Sequence, residues 1–423
     1  MNNKRLLMVT TAFPYGQGES FVDAELRYMA ESFEEVTLVP CFFTADKPPR
    51  AVAHGVELAY ARARWGASRI LHVAVSLTRA LWGYRWLGEA VFVLKSPHRR
   101  ENLKELIRCL YRARLFEQFL ERQRAAGRHY DMIYFYWIVP EIAGALAFRQ
   151  KARSFSVAPL TIVARAHGGD LYEERRSGGY AGLTDAIMAG VDAVFCISAH
   201  GRAYLAHKYP GLTERFHLAR LGVEDPGFIS PQRADDTLSI LSCSFMVPGK
   251  RIHLIADAIA MLLSENADLT VRWTHIGDGE LFQQLESYVA RVLDNHRVEV
   301  VFKGYMRQPD LVAFYRETPF DVIVNVSDTE GIPVSLMEAS AVGIPMMATD
   351  VGGSGEIVNS TNGVLIDENA DCATIAAALL KFHDKGVAAG YRARARAYWH
   401  AHFNAETNYV NFGKALHQSM EQS

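Results

Sequence analysis

Two glutamates stand eight residues apart in the stretch SDTEGIPVSLMEAS, Glu330 before a Gly-Ile-Pro turn and Glu338 after it. The apolar run Phe320–Ser327 predicts a buried strand just before them, and Pro333 suits a first helical position because its missing N–H needs no partner there. Glu330 is therefore expected at the carboxyl end of a strand, where open α/β sheets bind ligands. Since a helix start also favours phosphate, the pattern predicts a site for a ligand that carries both hydroxyls and a phosphate.

The composition limits the class of protein. The chain has 423 residues, of which 49% are hydrophobic and 22% charged, and this length favours two domains. A formal net charge of −2 gives no field that would favour nucleic acid. The five cysteines show no C-x-x-C pattern, which indicates reduced thiols, and no run reaches the ~18 apolar residues of a membrane span. We therefore expect a cytoplasmic protein, peripheral at the inner face of the plasma membrane if its basic segment binds lipid.

Short apolar, β-branched runs alternate with helical patterns along the whole chain. Such runs are typical of parallel sheets that are covered on both faces. We therefore predict an α/β chain with two Rossmann-like, doubly wound parallel-sheet domains. The predicted strands are Arg5–Thr11, Val36–Cys41, Met132–Trp137, Thr161–His167, Ala193–Ser198, Thr237–Ser244, Leu269–Gly277, Val298–Gly304, Phe320–Ser327, Ile344–Asp350 and Gly363–Asp367.

One segment rich in Pro, Gly, Ser and Asp divides the two sets of strands. Residues 224–236 are the strongest candidate for a linker. The first domain is then residues 1–223, and the second, which would hold the two glutamates, is residues 237–397.

A basic helical segment, residues 61–128, lies within the first domain and carries 15 Lys or Arg against five Glu. Two interpretations stay open. The segment packs on the first domain with a basic face in water, or it docks on an anionic membrane surface, where each basic residue adds ~1 kcal/mol. The second interpretation suits an acceptor that is carried on a membrane lipid.

Residues 327–358 resemble the signature of glycosyltransferase family 4, a family of retaining enzymes. That signature is Glu-x7-Glu followed by a glycine pair and a third glutamate. Here it consists of Glu330, Glu338, Gly352, Gly353 and Glu356. The stretches FPYGQGESF, HGGDLY, RLGVE and HIGDGE resemble further landmarks of the family and occur in its order. The resemblance implies the GT-B fold, two Rossmann-like domains that face a central cleft, with residues 398–423 as a C-terminal helix that crosses back to the first domain.

The resemblance also implies an activity and a set of site residues. It implies retaining transfer of a sugar from a UDP- or GDP-sugar to a hydroxyl of a glycan or lipid-linked acceptor, in bacterial cell-surface polysaccharide biosynthesis. Glu330 would face the transferred sugar, His167 would lie near it and Lys250 would hold the diphosphate, and these three are the expected catalytic residues. The other expected donor-binding residues are Gly16, Gly18, Asp170, Ser244, Arg251, Gly277, Gly279, Gly331, Ile332, Pro333, Val334 and Glu338.

The sequence departs from the family pattern just before Lys250. The family usually carries an arginine there, and Phe245 stands at the aligned position. Either Lys250 works with Ser244 and backbone groups, or Arg251 supplies the second positive charge. The chain has no Asp-x-Asp pair and no histidine cluster at ligand spacing, so we expect no metal requirement and no cofactor besides the donor.

Two other functions are left open at this point. The first is a GT-B relative that epimerises or hydrolyses a nucleotide sugar without an acceptor, which the intact Glu-x7-Glu pattern disfavours. The second is a catalytically silent protein that binds a nucleotide sugar, and Phe245 in place of arginine is its only support.

Overall fold

The computed structural model describes residues 4–15, 19, 21–41, 48–60, 86–153 and 159–422. The chain forms two compact units. The first is Met1–Ala219 together with Tyr409–Ser423, and the second is Arg220–Asn408. Each unit is built on one parallel sheet.

The first unit has a seven-stranded sheet with the order β3-β2-β1-β4-β5-β6-β7, and all neighbouring strands are parallel. Its strands are β1 Arg5–Thr10, β2 Glu35–Pro40, β3 Val56–Leu58, β4 Met132–Phe135, β5 Thr161–Ala166, β6 Ala193–Cys196 and β7 Phe216–Leu218. Its helices are α1 Val22–Ser32, α2 Trp86–Lys95, α3 Arg99–Ala125, α4 Glu141–Arg153, α5 Gly168–Leu171, α6 Thr184–Gly190 and α7 Ala199–Lys208.

The central strands of this sheet are apolar on both faces because helices cover both. Along β1, Leu7 and Val9 belong to one core cluster, and Leu6 and Met8 belong to the cluster on the opposite face. The alternation follows from the two-residue period of a strand. It explains why the strand sequences are continuous apolar runs rather than alternating patterns.

The second unit has a six-stranded parallel sheet with the order β10-β9-β8-β11-β12-β13. Its strands are β8 Thr237–Cys243, β9 Thr270–Ile276, β10 Val298–Phe302, β11 Val322–Asn325, β12 Met346–Thr349 and β13 Gly363–Ile366. Its helices are α8 His253–Glu265, α9 Phe282–Val292, α10 Gln308–Glu317, α11 Val334–Ala341, α12 Cys372–Leu380 and α13 Lys385–His402. The last helix, α14 Ala405–Gln422, places Phe412 and Leu416 in the core of the first unit.

The predicted α/β architecture of two doubly wound parallel sheets is confirmed, and all eleven predicted strands occur. Each predicted strand extends one or two residues too far at its carboxyl end. The short edge strands β3 and β7 were not predicted, since three residues are too few to show a period. The linker at residues 224–236 and the hinge role of residues 398–423 stay predictions. Within the described ranges, no helix combines the length and the apolar character that a bilayer crossing requires.

Candidate functional site

The strand order of the second unit creates a crevice between β8 and β11. From β8 the chain moves outward through β9 to β10, and it then returns to the other side of β8 to form β11. After β8 the chain runs to β9 on one side, and after β11 it runs to β12 on the other side. The two connections therefore diverge, and a crevice remains between their starting points at the carboxyl edge of the sheet. Such a switch point is where open α/β sheets bind ligands.

Lys250 and Glu330 meet at this switch point. The Nζ of Lys250 donates to Oε1 of Glu330 at 2.5 Å. The same oxygen accepts hydrogen bonds from Asn325 Nδ2 at 2.9 Å and from Ser327 Oγ at 2.7 Å. Glu330 is 8% exposed. Its second oxygen, Oε2, accepts no hydrogen bond from the described part of the chain. One carboxylate oxygen is thus held by three donors, and the other is left for a ligand.

Arg251 supports the loop that carries Glu330. Its backbone is left-handed, with φ of 46°, which turns the side chain toward the end of β11. Its Nε donates to the Val326 carbonyl at 2.7 Å, and its Nη2 donates to the Ser327 carbonyl at 3.0 Å. The geometry therefore makes Arg251 a positioning residue for the β11 loop.

The glycine pair of the predicted signature lies against the backbone of Glu330. Gly352 has a φ of +54°, and a Cβ built there would lie 1.9 Å from the Glu330 carbonyl oxygen. The N–H of Gly353 donates to the Gly331 carbonyl at 2.9 Å. A side chain at position 352 would displace the loop, so glycine is required there for close approach.

The helix that follows begins one residue later than the sequence predicts. Pro333 occupies the cap position of α11 rather than its first helical position, because its ψ of 103° is not helical. Ile332 is buried beneath this turn. The first N–H groups of α11, beginning with that of Val334, have no acceptor within a helix, and they lie on the same loop as Glu330.

Glu338 lies one turn further along α11 and is partly exposed. Burial raises the pKa of its carboxyl to about 7. Its charge contributes to raising the pKa of the Cys243 thiol and of the Tyr315 hydroxyl, which places the three groups close together. No hydrogen bond to Glu338 occurs among the residues that the structure describes. A partly buried carboxylate that has no hydrogen-bond partner among the described residues is costly, and ligand hydroxyls would relieve that cost.

Ser244, Gly277 and Gly279 belong to one backbone packing arrangement beside β8. A Cβ at Gly277 would lie 1.8 Å from the Ser244 carbonyl oxygen, and one at Gly279 would lie 2.5 Å from that of Met246. These glycines therefore allow the loops after β8 and β9 to pack together. Phe245, which replaces the family's arginine, is 55% exposed on the same loop.

In the first unit, His167 and Asp170 lie where β5 leads into α5. His167 is buried with its ring 4.2 Å from Trp137 and 4.8 Å from Tyr136. Burial and the charge of Arg165 lower the pKa of His167 well below its usual value, so the imidazole is neutral, and its Nε2 finds no partner among the described residues.

Asp170 performs the capping role that its position allows. One carboxylate oxygen accepts from the His167 N–H at 2.7 Å, and the other accepts from the Ile138 N–H at 2.8 Å. Burial raises the pKa of Asp170 to about 7. Both oxygens are thus committed to the backbone, which favours support of the loop over direct contact with a ligand.

Glu19 is a buried residue that sequence reasoning missed. Its carboxylate accepts from the N–H groups of Ala12 at 2.7 Å and Phe13 at 2.6 Å, and from the indole Nε1 of Trp137 at 2.5 Å. It also binds the backbone N–H and the hydroxyl of Thr11. The signal available was a lone acid at the end of a glycine-rich loop. The predicted phosphate-binding residues of that loop, Gly16 and Gly18, lie outside the described residues.

Metal binding is not indicated by any side-chain cluster in the described ranges, where no three His, Cys, Asp or Glu residues are grouped as ligands. The expected independence from metal and cofactor stays a prediction.

Comparison with known proteins finds a family model that matches most of the second unit. Residues 237–385 match the family model described as glycosyl transferases group 1. The amylovoran biosynthesis glycosyltransferase AmsK of Erwinia amylovora is 27% identical over 174 residues, which are 40% of this chain and 42% of that protein. The putative colanic acid biosynthesis glycosyltransferase WcaL of Escherichia coli is 29% identical over 178 residues, with the same shares of 40% and 42%. The chain thus spans less than half the length of these curated relatives.

Solved structures share the fold over nearly the whole chain. The lipopolysaccharide outer core galactosyltransferase WaaB in its apo form aligns with a TM-score of 0.68 and 16% identity, covering 98% of this chain and 99% of that one. HepE of Anabaena in complex with UDP and glucose aligns with a TM-score of 0.65 and 14% identity, covering 97% and 98%. The predicted GT-B fold is confirmed. The residues that match the glycosyl transferases group 1 model, 237–385, contain the Lys250–Glu330 pair.

Proposed function

We propose that the chain is a retaining glycosyltransferase that moves a sugar from a UDP- or GDP-sugar to a hydroxyl of a glycan or lipid-linked acceptor in surface-polysaccharide biosynthesis. The Lys250–Glu330 pair carries the proposal, because it joins a cation and a partly free carboxylate at the switch point of the matched domain. The names of AmsK and WcaL support the polysaccharide setting, and the UDP and glucose bound to HepE support the donor class.

Each residue has a distinct part in the proposed reaction. The ammonium of Lys250 and the N-terminus of α11 stabilise negative charge on the departing diphosphate. Oε2 of Glu330 accepts hydrogen bonds from hydroxyls of the transferred sugar. The three donors to Oε1 hold the carboxylate in place before substrate arrives. Glu338 accepts hydrogen bonds from the ribose hydroxyls. The neutral imidazole of His167 serves as a hydrogen-bonding group near the sugar.

The proposed bond changes occur on one face of the sugar. The acceptor oxygen forms a bond to the anomeric carbon as the bond from that carbon to the diphosphate breaks. The acceptor's proton passes to the departing diphosphate oxygen, so no protein carboxylate becomes covalently attached and the anomeric configuration is retained. No metal is required in this scheme, so turnover should persist in excess EDTA.

Two measurements test the proposed function: binding of nucleotide sugars by thermal shift, and identification of the product by NMR. We expect one of a panel of UDP-, GDP- and ADP-sugars to raise the melting temperature, and we expect the same labelled donor to yield a glycosylated product with retained configuration by NMR. A free or epimerised sugar formed without acceptor would instead indicate a hydrolase or epimerase. Binding without any product would indicate a silent binding protein, and no thermal shift with any donor would overturn the proposal.

We also propose that the basic segment, residues 61–128, contacts an anionic membrane. Residues 61–85 lie outside the described part. In the remainder, the apolar side chains of Val91, Phe92, Leu94 and Leu103 are exposed, and Phe92 and Leu94 are 51% and 69% exposed. They lie close in sequence to the exposed basic residues Lys95, Arg99, Arg100 and Lys104. Exposed apolar groups flanked by cations are typical of helices that bind a membrane surface.

Vesicle sedimentation tests this contact. We expect co-sedimentation with phosphatidylglycerol-containing vesicles at low salt, loss of binding at high salt, and little binding to pure phosphatidylcholine. Phe92→Ser with Leu94→Ser should weaken binding even at low salt. Equal binding by the double variant, or no binding by the wild type at low salt, would contradict the proposal.

A further inference from the structure

A cavity of about 320 Å³ opens at the carboxyl end of the first unit's sheet. The segments that follow three neighbouring strands contribute to it, through Thr11 after β1, Trp137 after β4 and Gly169, in helix α5, after β5. Helix α3 also lines the cavity, through Glu105, Arg108 and Arg112. The volume lies at the lower end of the range of small-molecule sites, about 300–1,000 Å³.

The positive charges of this cavity are unequally compensated. Arg112 makes a two-point ion pair with the buried Glu141, at 2.8 and 2.7 Å. Arg108 pairs with Glu105 at 2.7 Å, but its side chain is 63% exposed, so this pair is weak. Arg176 makes no ion pair with any described residue.

Arg176 is therefore the least compensated of the three arginines that line the cavity. Its one side-chain hydrogen bond to a described residue is a long one, 3.4 Å from Nη2 to the Gly169 carbonyl. The nearby carboxylate of Asp170 does not neutralise it by direct contact, because both of its oxygens accept backbone N–H groups. A guanidinium in this situation suits a planar carboxylate or a phosphate.

Trp137 provides a fixed aromatic surface in the same cavity. Its indole N–H donates to Glu19 at 2.5 Å, and its ring lies 4.2 Å from the ring of His167. Both contacts hold the indole in one orientation before a ligand arrives. Aromatic side chains with a few placed polar groups are typical of small-molecule sites, and the face of an indole suits the apolar face of a sugar ring.

We infer that this cavity binds an acidic sugar unit of the acceptor, with the ring against Trp137 and its carboxylate or phosphate at Arg176 and Arg108. The acceptor assignment rests on the proposed glycosyltransferase function. The inference adds a substrate class to that function: the acceptor carries a negative charge on or beside the sugar that enters the cavity.

Saturation-transfer NMR on the full chain tests the inference with four probes. Methyl glucuronoside carries a carboxylate, methyl glucoside 6-phosphate carries a phosphate, methyl glucoside is neutral, and acetate lacks the ring. We expect one of the two acidic sugars to bind about tenfold more tightly than methyl glucoside and acetate, and the stronger of the two identifies the anion. Equal binding of acidic and neutral sugars would overturn the inference.

Variants at two neighbouring positions distinguish a specific contribution of Arg176 to binding from the general effect of removing one positive charge. Arg176→Gln should lose about tenfold in affinity for the acidic sugar, and Arg176→Lys should retain part of it. The matched control is Arg175→Gln, since Arg175 is exposed, lies over the Tyr172 ring at 4.0 Å and does not line the cavity. Equal losses in the Arg175 and Arg176 variants, or none in the Arg176→Gln variant while its melting temperature is unchanged, would contradict the inference.

The donor panel on the same samples distinguishes the two proposals. A thermal shift with a nucleotide sugar, combined with no preference for acidic sugars, would overturn the cavity inference and leave the proposed function standing. No shift with any nucleotide sugar, combined with Arg176-dependent binding of the acidic sugar, would remove the acceptor role and support the acidic-sugar site alone.

Discussion

The ammonium of Lys250 lies 2.5 Å from Oε1 of Glu330, although 80 residues separate the two along the chain. The pair joins the loop after β8 to the loop after β11. Because Asn325 and Ser327 bind the same oxygen, the carboxylate is already oriented before any ligand binds. This prior orientation is what electrostatic catalysis requires, since little reorganisation then remains for the reaction itself.

The first prediction concerns the coupling of this pair. Glu330→Gln keeps the side-chain shape but removes the charge, and it should lower turnover by ~100-fold or more. Lys250→Met should have a similar effect. In the double variant the two losses should be less than additive, because the residues act as one unit. The measurement is turnover in all four combinations, with circular dichroism to confirm folding.

Glu317→Gln is the matched control for this cycle, because Glu317 is exposed at the end of α10. Its turnover should equal that of the wild type. Wild-type turnover in Glu330→Gln would remove Glu330 from the mechanism, and strictly additive losses would show that the ion pair does not act as a unit.

The second prediction concerns the pH dependence of stability through Glu338. Its folded pKa of about 7 lies above the usual range of a glutamate, so between pH ~4.5 and ~7 the folded protein binds more protons than the unfolded chain. The contribution to stability is therefore fully present below pH ~4.5 and is lost as the pH rises through 7. The Glu338→Gln side chain stays neutral at every pH. The free energy of unfolding of this variant should exceed that of the wild type by ~1–2 kcal/mol at pH 8, and the two values should be closer at pH 5.

Melting temperatures of the two proteins at pH 5 and pH 8 provide the measurement. Glu317→Gln again serves as the control, and its difference from the wild type should not vary over this range. A Glu338→Gln effect of the same size at both pH values would show that the carboxyl does not titrate between them.

The third prediction separates steric closeness from backbone strain at Gly352. Gly352→Ala places a Cβ 1.9 Å from the Glu330 carbonyl oxygen, whereas Gly304, with a similar φ of +66°, has nothing within 4 Å of its Cβ position. Gly304→Ala should cost only the ~1–2 kcal/mol of a left-handed backbone. Gly352→Ala should cost at least ~3 kcal/mol and should also reduce turnover, because the Glu330 loop must move. Equal costs in urea unfolding would refute this explanation.

The fourth prediction concerns Glu19. Glu19→Gln replaces one acceptor oxygen with an amide donor that faces backbone N–H groups, which should destabilise the protein by ~1–3 kcal/mol. The emission of Trp137 should also change, since its indole N–H loses a charged acceptor. Fluorescence-monitored unfolding measures both effects, and Glu31→Gln on the exposed side of α1 is the control. An unchanged spectrum and stability would mean that Glu19 does not organise this loop.

Much of the fold could be predicted because burial on both faces leaves a direct trace in the sequence. The β4 residues Met132–Phe135 are all buried, and their continuous apolar pattern marks a strand without any partner being known. Three-residue strands such as β3 leave no such trace. Their pairing depends on a neighbouring strand that is distant in sequence.

The residues of the candidate site fall into the same two groups, those that local sequence reveals and those that it does not. Glu330, Glu338 and the glycine pair are recognisable from local spacing, because a strand–loop–helix turn is a local structure. The side-chain contacts of Arg251 and Glu19 are not, since each depends on a left-handed backbone, with φ of 46° and 57°, that non-glycine residues adopt only when their surroundings impose it.

By itself, the sequence determined two parallel-sheet units, the loop position of Glu330 and the helical position of Glu338, because these follow from apolar periodicity and turn chemistry within short stretches. Only the tertiary structure decided that Lys250 binds Glu330, that Asp170 caps its own loop and that Arg176 makes no direct ion pair within the described ranges. Those outcomes depend on which loops the strand order brings together, and hydrogen-bond partners are chosen by distance in space rather than by distance along the chain.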